Sequence, residues 1–68
     1  MKVFINGESI ILPTNSTIEC ALEIHFKSKR RPTFALALNQ AFVGKTLYAS
    51  TQLKHGDSID ILLPIQGG

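Results

Sequence analysis

The last two residues, Gly67 and Gly68, have the clearest potential for chemistry in this sequence. Glycine lacks a Cβ atom, so a chain that ends in two glycines adopts almost any φ and ψ and fits a channel too narrow for other side chains. A terminal carboxylate presented in this way is a suitable substrate for another enzyme, because ATP converts an inert carboxylate into a reactive acyl-adenylate. A frayed chain end has the same composition. The glycine pair by itself therefore leaves both interpretations open.

The other titratable and nucleophilic residues form no catalytic pattern. His25 falls on a helix flank and His55 in a turn, and no residue close in sequence orients either one as a base. Cys20 falls beside the predicted apolar stripe of the helix, where a free cysteine usually behaves as a small hydrophobe. One cysteine and two widely spaced histidines do not form a zinc site. A chain of this length also leaves little room for a substrate pocket of about 300 Å³, so we expect that it is not an enzyme on its own.

Length and composition predict one packed domain. The chain has 68 residues, 44% of them hydrophobic, and a net charge of +2, which favours a folded core over disorder. We find no signal-peptide segment at the N-terminus. The longest apolar run, residues 34–38, is far shorter than the about 20 residues of a membrane span. Together with the free cysteine, these features lead us to expect a soluble, cytoplasmic protein with no membrane partner.

Four of the seven basic residues lie close together. Nucleic-acid-binding modules usually spread basic residues over a face and interleave aromatic residues. This cluster contains no aromatic residue, and Pro32 ends it. We therefore favour a basic helix end, where cations complement the helix dipole. The alternative is a phosphate-binding patch formed by Lys27, Lys29, Arg30 and Arg31.

The first thirteen residues predict a β-hairpin. Residues 2–6 are rich in strand formers, and the Asn6-Gly7 pair that ends them is favoured in two-residue type I′ turns, which need positive φ at both positions. Residues 9–12 form the returning strand, which Pro13 stops.

An amphipathic helix is predicted from about Thr17 to Lys27. Ser16 and Glu19 match the capping-box pattern, with Ser16 as the N-cap residue. The apolar stripe at helical spacing consists of Ile18, Ala21 and Leu22, completed by Cys20 or Ile24.

Three further strands follow the predicted helix. They cover residues 34–38, 41–43 and 58–63. Asn39 and Gln40 form a tight turn between the first two, and the segment from Gly44 to Gln52 is a connecting loop with one short helical turn. In the turn before the last strand, Gly56 occupies a left-handed position. On that strand, one face carries Ile59, Ile61 and Leu63.

This order of elements predicts an α+β fold of the β-grasp (ubiquitin-like) class. Burying the helix stripe requires the helix to pack across one face of a single mixed sheet of four to five strands. The first and last strands run parallel in the middle of that sheet, which explains why the last strand is so apolar. We assign residues 1–64 to the β-grasp domain and residues 65–68 to a flexible C-terminal tail ending in Gly-Gly.

Several segments together carry a family resemblance. They are residues 3–8 (VFINGE), residues 36–40 (LALNQ), Val43, residues 53–62 (LKHGDSIDIL) and the final Gly67-Gly68. In these segments and in its length, the sequence resembles the ThiS family, the small ubiquitin-like sulfur carriers of thiamine biosynthesis.

The resemblance implies a protein that carries sulfur on Gly68. A ubiquitin-activating-type enzyme would adenylate the Gly68 carboxylate with ATP and magnesium. Sulfur from a cysteine desulfurase or another donor would displace AMP, and the resulting thiocarboxylate would supply thiazole synthase. Gly67 would provide flexibility and lack of bulk, while Gln66 and Ile65 would line the mouth of the partner's channel. The resemblance implies no cofactor bound to the carrier itself.

Strand alternation predicts a docking surface. Leu62 alternates against Ile61 and Leu63, so it faces away from the helix, and Phe4 on the neighbouring strand faces the same way. Adjacent exposed apolar side chains often mark a protein-binding surface. We therefore predict a docking patch of Phe4 and Leu62 with help from Phe42. The simpler alternative for Phe4 is that a loop covers it.

Three other functions stay open from the sequence. A sulfur carrier for molybdopterin or another product would share the same tail chemistry, and so would a ubiquitin-like modifier joined to lysines. A non-catalytic β-grasp binding module is a different class, because this type of fold hosts many functions. If such a module bound nucleic acid through the basic cluster, its affinity would fall steeply with salt.

Overall fold

The computed structural model describes residues 1–27 and 30–64. Its elements are β1 (Lys2–Ile5), β2 (Glu8–Ile11), α1 (Ile18–Phe26), β3 (Ala35–Leu38), β4 (Ala41–Val43), a 3₁₀ helix (Lys45–Leu47) and β5 (Ser58–Leu62). This order confirms the predicted sequence of elements, including the short helical turn after β4. The last strand is one residue shorter than predicted. Leu63 lies beyond β5 and is 60% exposed, so it does not share the buried face of Ile59 and Ile61.

The strands form one mixed sheet in the order β2-β1-β5-β3-β4. β1 and β5 are parallel, with Phe4 opposite Ser58 and Ile5 opposite Ile59. The pairs β1–β2, β3–β5 and β3–β4 are antiparallel. β5 therefore lies in the middle of the sheet, and the predicted β-grasp topology is confirmed.

The core fills the space between α1 and one face of the sheet. α1 contributes Ile18, Ala21 and Leu22, which are fully buried. The sheet and the loops contribute Val3, Ile5, Leu12, Leu36, Tyr48, Leu53, Ile59 and Ile61. The predicted fourth member of the helix stripe is wrong, because Cys20 is only half-buried and Ile24 is 41% exposed. Phe26 packs against the core instead, at the end of the helix.

The helix begins one residue later than the capping-box pattern predicts. Thr17 is the N-cap residue, and its Oγ1 accepts a hydrogen bond from the backbone N–H of Cys20 at 3.3 Å. Ser16 is buried, and its hydroxyl donates to the carbonyl of Pro13 at 2.7 Å. The Ser16 carbonyl accepts from the N–H of Leu53 at 2.8 Å. These contacts tie Ser16 to the preceding turn and to the segment before β5, so its hydroxyl does not cap the helix.

Two predicted turns have the expected left-handed backbone, and the predicted tight turn at Asn39 and Gln40 has it as well. Asn6 and Gly7 have φ of 50° and 87°, and Asn39 and Gln40 have φ of 50° and 72°. Positive φ at both central residues is the requirement of a type I′ turn, which matches the twist of the flanking strands. Gly56 has φ of 90°, as predicted.

Candidate functional site

The predicted reactive tail lies outside the described residues. Ile65, Gln66, Gly67 and Gly68 all fall beyond Pro64, the last described position. The domain boundary at residue 64 and the roles of these four residues therefore stay predictions. The structure does describe the strand that leads to the tail and the surfaces around its end.

β5 is held on both sides along its length. Toward β1, the N–H of Asn6 donates to the carbonyl of Ile59 at 2.9 Å. Where β1 ends, the side chain of Asn6 continues the pairing, because its Oδ1 accepts the N–H of Ile61 at 2.8 Å. Toward β3, pairing continues to Leu62, opposite Ala35. The tail therefore leaves from a central strand fixed by the hairpin turn and by β3.

The turn between β3 and β4 fixes the start of β5 as well. Asn39 Oδ1 accepts the N–H of Ser58 at 2.9 Å, and Asn39 Nδ2 donates to Asp57 Oδ1 at 3.0 Å. The other carboxylate oxygen of Asp57 accepts the N–H of Lys54 at 2.7 Å. Two asparagines in positive-φ turns, Asn6 and Asn39, thus anchor β5 near its two ends. The sequence marked both as turn residues and did not reveal these long-range contacts.

The predicted docking residues share the sheet face opposite α1. Phe4 pairs with Ser58 and Leu62 lies four residues further along β5, so both point to the same side. Phe42 pairs with Ala37, which pairs with Asp60 on that same side. Phe42 is 75% exposed and Leu62 is 48% exposed, whereas Phe4 is half-buried. The predicted orientation is confirmed.

Phe4 and Leu62 are not side by side as predicted. Their strand positions differ by four residues, which is roughly 13 Å along the strand. The half-buried Asp60 lies between them on this face. Ile11, which was not among the predicted docking residues, is 72% exposed on the same face at the β2 edge, opposite Lys2. Strand alternation could have found it, because its neighbours Ile10 and Leu12 point toward the core.

Two surface cavities lie close to the end of β5. One has a volume of about 370 Å³ and is lined by Thr33, Phe34, Ala35, Leu62, Leu63 and Pro64. The other has a volume of about 430 Å³, and it shares Thr33 and Phe34 with the first. Both are surface depressions open to solvent, so they do not test the expectation that a chain this short has little room for a substrate pocket. Both cavities are lined in part by the segment before β3, in which Phe34 packs against the core.

The basic cluster only partly matches its prediction. α1 ends at Phe26, so Lys27 is the single member at the helix end, and Lys29 lies outside the described residues. Arg31 instead turns back to the first turn of the helix and donates two hydrogen bonds to the Glu19 carboxylate, at 2.5 and 3.2 Å. The hydrogen bond from Arg31 holds the pKa of Glu19 below its usual range, although burial opposes it. Arg31 is thus engaged within the fold.

The histidines and the cysteine have structural contacts. The Nδ1 atom of His55 accepts the N–H of Lys2 at 3.0 Å, and the ring of His25 meets Phe26 edge-on. The Thr17 hydroxyl donates to Cys20 Sγ at 3.4 Å, which lowers the pKa of the thiol. Within residues 1–27 and 30–64, no three His, Cys, Asp or Glu side chains group as metal ligands. The same residues include no helix long and apolar enough to span a membrane.

The topology defines the class of protein. A mixed sheet with parallel β1 and β5 at its centre and one helix across a single face is the ubiquitin-like β-grasp fold. The model of the ThiS family matches residues 2–68, so this chain belongs to the ThiS family, which consists of small sulfur carrier proteins. A search of curated protein sequences finds no match.

Two solved structures are similar in fold. The first is the thiamine biosynthesis protein ThiS from Geobacter metallireducens, with a TM-score of 0.75 and 20% identity over 100% of both chains. The second belongs to the protein–protein complex of subunits 1 and 2 of molybdopterin-converting factor from Helicobacter pylori 26695. Its TM-score is 0.61 and its identity 24%, over 98% of this chain and 96% of that chain. At these identities, both similarities concern the fold.

Proposed function

We propose that this protein carries sulfur as a thiocarboxylate on Gly68 for formation of the thiazole ring of thiamine. The observation that carries the proposal is the ThiS family match, which extends through Gly67 and Gly68. The position of β5 supports it, because a tail that follows a firmly held central strand projects from a defined point of the domain.

The chemistry takes place on the carboxylate of Gly68. A ubiquitin-activating-type partner uses ATP and magnesium, and the carboxylate attacks the α-phosphorus of ATP to release pyrophosphate. The terminal sulfur of a donor persulfide, such as that of a cysteine desulfurase, then attacks the acyl-adenylate and displaces AMP, so that a C–S bond replaces a C–O bond. A thiol cleaves the S–S bond of the resulting acyl disulfide, which leaves the thiocarboxylate on Gly68 and joins the thiol to the donor cysteine as a disulfide. The thiocarboxylate transfers its sulfur to the reaction of thiazole synthase. In this scheme the partners catalyse and this protein is the co-substrate.

The partner must bind a surface of the domain while it acts on the tail. We assign that role to the exposed side chains of Leu62 and Phe42 on the face opposite α1, with Phe4 as a half-buried neighbour. Leu62 is the closest of the three to the tail along the chain. Gly67 and Gly68 lack side chains and pass through the partner's channel, while Gln66 and Ile65 lie at its mouth.

The test is the intact mass of the protein after incubation with ATP, magnesium, an adenylating enzyme and a sulfur donor. We expect a mass gain equal to the replacement of one oxygen by one sulfur. A variant that lacks Gly68 and a variant with one alanine added after Gly68 serve as matched controls, and neither should gain mass. An unchanged mass of the natural protein with several activating enzymes would contradict the proposal.

Molybdopterin is the second candidate for the destination of the sulfur. The observation that favours it is the similarity in fold to the molybdopterin-converting factor complex. Loaded protein should be mixed separately with thiazole synthase and with the large subunit of molybdopterin synthase, each supplied with the substrate that accepts the sulfur. Loss of the added sulfur mass in one mixture and not in the other identifies the acceptor.

A further inference from the structure

The larger of the two cavities has features that neither the fold nor the proposed tail chemistry requires. It has a volume of about 430 Å³ and lies between the first turn of α1, the segment before β3 and the 3₁₀ helix. Its walls include Glu19, Arg31, Thr33, Phe34, Lys45 and Tyr48. Since Phe34 precedes Ala35, which faces the open side of the sheet, the cavity lies beside the helix and apart from the docking face.

The cavity carries an unbalanced positive charge. The charge of Arg31 is matched by Glu19, to which it donates two hydrogen bonds. Lys45 is exposed at the rim, and its ammonium group forms no ion pair or hydrogen bond with the part of the chain that the structure describes. Among the described residues, the three charged side chains that line the cavity therefore sum to one positive charge, which suits one anionic group.

Tyr48 presents an unused polar group to the same cavity. The residue is 6% exposed, and its ring stacks on Phe34 with centroids 6.1 Å apart and planes 9° apart. Its hydroxyl has no hydrogen-bond partner in residues 1–27 and 30–64. No polar side-chain atom of those residues is sealed from solvent without a partner, so this hydroxyl reaches solvent, and Tyr48 is one of the residues that line the cavity. A tyrosine hydroxyl is protonated at neutral pH and can donate a hydrogen bond, and burial raises the pKa of Tyr48 further.

We propose that this cavity receives a carboxylate side chain from an acidic loop of the protein that activates the tail. Lys45 supplies the charge, the Tyr48 hydroxyl supplies a hydrogen bond, and the ring of Phe34 packs against the stem of the incoming side chain. The proposal rests on the proposed function, because it assigns the occupant to the adenylating partner.

Continuity with the tail favours a protein occupant over a free small anion. The cavity shares Thr33 and Phe34 with the groove at the end of β5, whose other walls include Leu62 and Pro64. Leu62, which we assign to the docking patch, lines that groove, so a partner seated on Leu62 lies next to the rim of the cavity. A carboxylate bound there helps orient the partner, since paired charges at an interface fix its register.

The first experiment measures binding to the purified adenylating partner by isothermal titration calorimetry. We expect Lys45→Glu to weaken binding more than about tenfold, because it removes one charge and places a like charge opposite the partner's carboxylate. Tyr48→Phe should weaken binding by about tenfold, the effect of losing one hydrogen bond to a charged group. Lys45→Arg should retain most of the affinity.

Lys54→Glu is the matched control. It makes the same change of net charge in the exposed turn before β5, away from both cavities. We expect it to bind like the natural protein. Thermal unfolding followed by circular dichroism should show that all variants remain folded. If Lys45→Glu and Tyr48→Phe bind as tightly as Lys54→Glu, the inference is overturned.

A second experiment identifies the group that enters the cavity. Carbodiimide couples a lysine Nζ to a carboxylate with loss of water, so a complex treated with it should contain a peptide that joins Lys45 to an aspartate or glutamate of the partner. Lys45→Arg should lack that peptide. Crosslinks from Lys54 alone would contradict the proposal.

Two outcomes separate this inference from the proposed function. If the natural protein is not adenylated, the proposed function is wrong and the inference falls with it. If it is adenylated but the Lys45 and Tyr48 variants bind normally, only the inference is wrong. A titration with inorganic phosphate serves as the small-anion test. The proposal is overturned if phosphate shifts the Tyr48 resonances saturably, if Lys45→Glu abolishes those shifts, and if the variants bind the partner as the natural protein does. The cavity would then be a small-anion site.

Discussion

Asn6 and Ile61 are 55 residues apart in sequence, and the side-chain Oδ1 of Asn6 accepts the backbone N–H of Ile61 at 2.8 Å. β1 is too short to pair with the second half of β5, and the side chain of Asn6 supplies the hydrogen-bond acceptor that a longer β1 would have provided. The contact therefore links the first hairpin to the strand that leads to the tail. It gives Asn6 two roles, since the residue also adopts the positive φ that its turn requires.

Replacing Asn6 by glycine should weaken this link without disturbing the turn. Asn6→Gly keeps a residue that tolerates positive φ but leaves the N–H of Ile61 without its acceptor. We expect a loss of about 1 kcal/mol in the free energy of unfolding and faster hydrogen exchange at the Ile61 amide. Urea unfolding and amide exchange measured by NMR check the two effects.

Asn15→Gly is the control for that substitution. Asn15 also has positive φ, at 72°, and its side chain forms no hydrogen bond with the part of the chain that the structure describes. It should lose little or no stability. Equal losses in the two variants would show that backbone entropy, and not the contact with Ile61, causes the effect.

Leu62→Ala should impair adenylation. Leu62 is 48% exposed on the face opposite α1, so its truncation removes partner contact area with little loss of core packing. We expect affinity for the adenylating enzyme to fall by about tenfold, a typical cost for a central interface residue. Ile11→Ala removes a more exposed side chain from the same face at the β2 edge and should have a much smaller effect. An unchanged affinity of Leu62→Ala would rule out the patch.

Thr17→Ala should destabilise the start of α1 and make Cys20 less reactive. The substitution removes the N-cap acceptor, at a typical cost of about 1 kcal/mol. It also removes the hydroxyl that lowers the pKa of the Cys20 thiol, so the pKa should rise. The rate of alkylation by iodoacetamide should then reach its plateau at a higher pH. Thr17→Ser retains the hydroxyl and should retain both properties.

Glu19→Gln should remove a small pH-dependent part of the stability. The hydrogen bond from Arg31 lowers the folded-state pKa of Glu19 below an unfolded value of about 4.3. The associated stability is therefore present above that pH and is lost as the pH falls through the folded-state pKa. Both side chains are about one-third exposed, so we expect less than about 1 kcal/mol.

The measurement for Glu19→Gln is urea unfolding of the natural protein and the variant between pH 3 and pH 7. The difference in their unfolding free energies should shrink toward acid pH. Glu8→Gln, on the exposed β2 edge, is the control. A difference that grows on acidification would contradict the assigned direction of the pKa shift.

The sequence predicted most of the fold because local patterns decided it. Asn6-Gly7 predicted the first hairpin, since positive φ at paired positions favours one turn type. Asn39-Gln40 was predicted as a tight turn, and the structure shows that it has the same paired positive φ. Alternation along β5 placed Ile59 and Ile61 in the core and Leu62 on the other face. The start of α1 was predicted wrongly at Ser16 because two adjacent hydroxyl residues both fit an N-cap. In the structure, backbone hydrogen bonds join Ser16 to Leu53 and Ile18 to Thr51. These long-range contacts fix the chain on both sides of Thr17, which is the N-cap residue.

The sequence by itself determined the order of elements, the faces of the strands and the Gly67-Gly68 ending on which the proposed chemistry depends. Only the tertiary structure decided how far apart Phe4 and Leu62 lie, because parallel register is a non-local property. Only the tertiary structure brought Arg31 to Glu19 and placed Lys45 and Tyr48 around one cavity. Those residues come from three segments far apart in the chain, and their contacts follow from how the segments pack together.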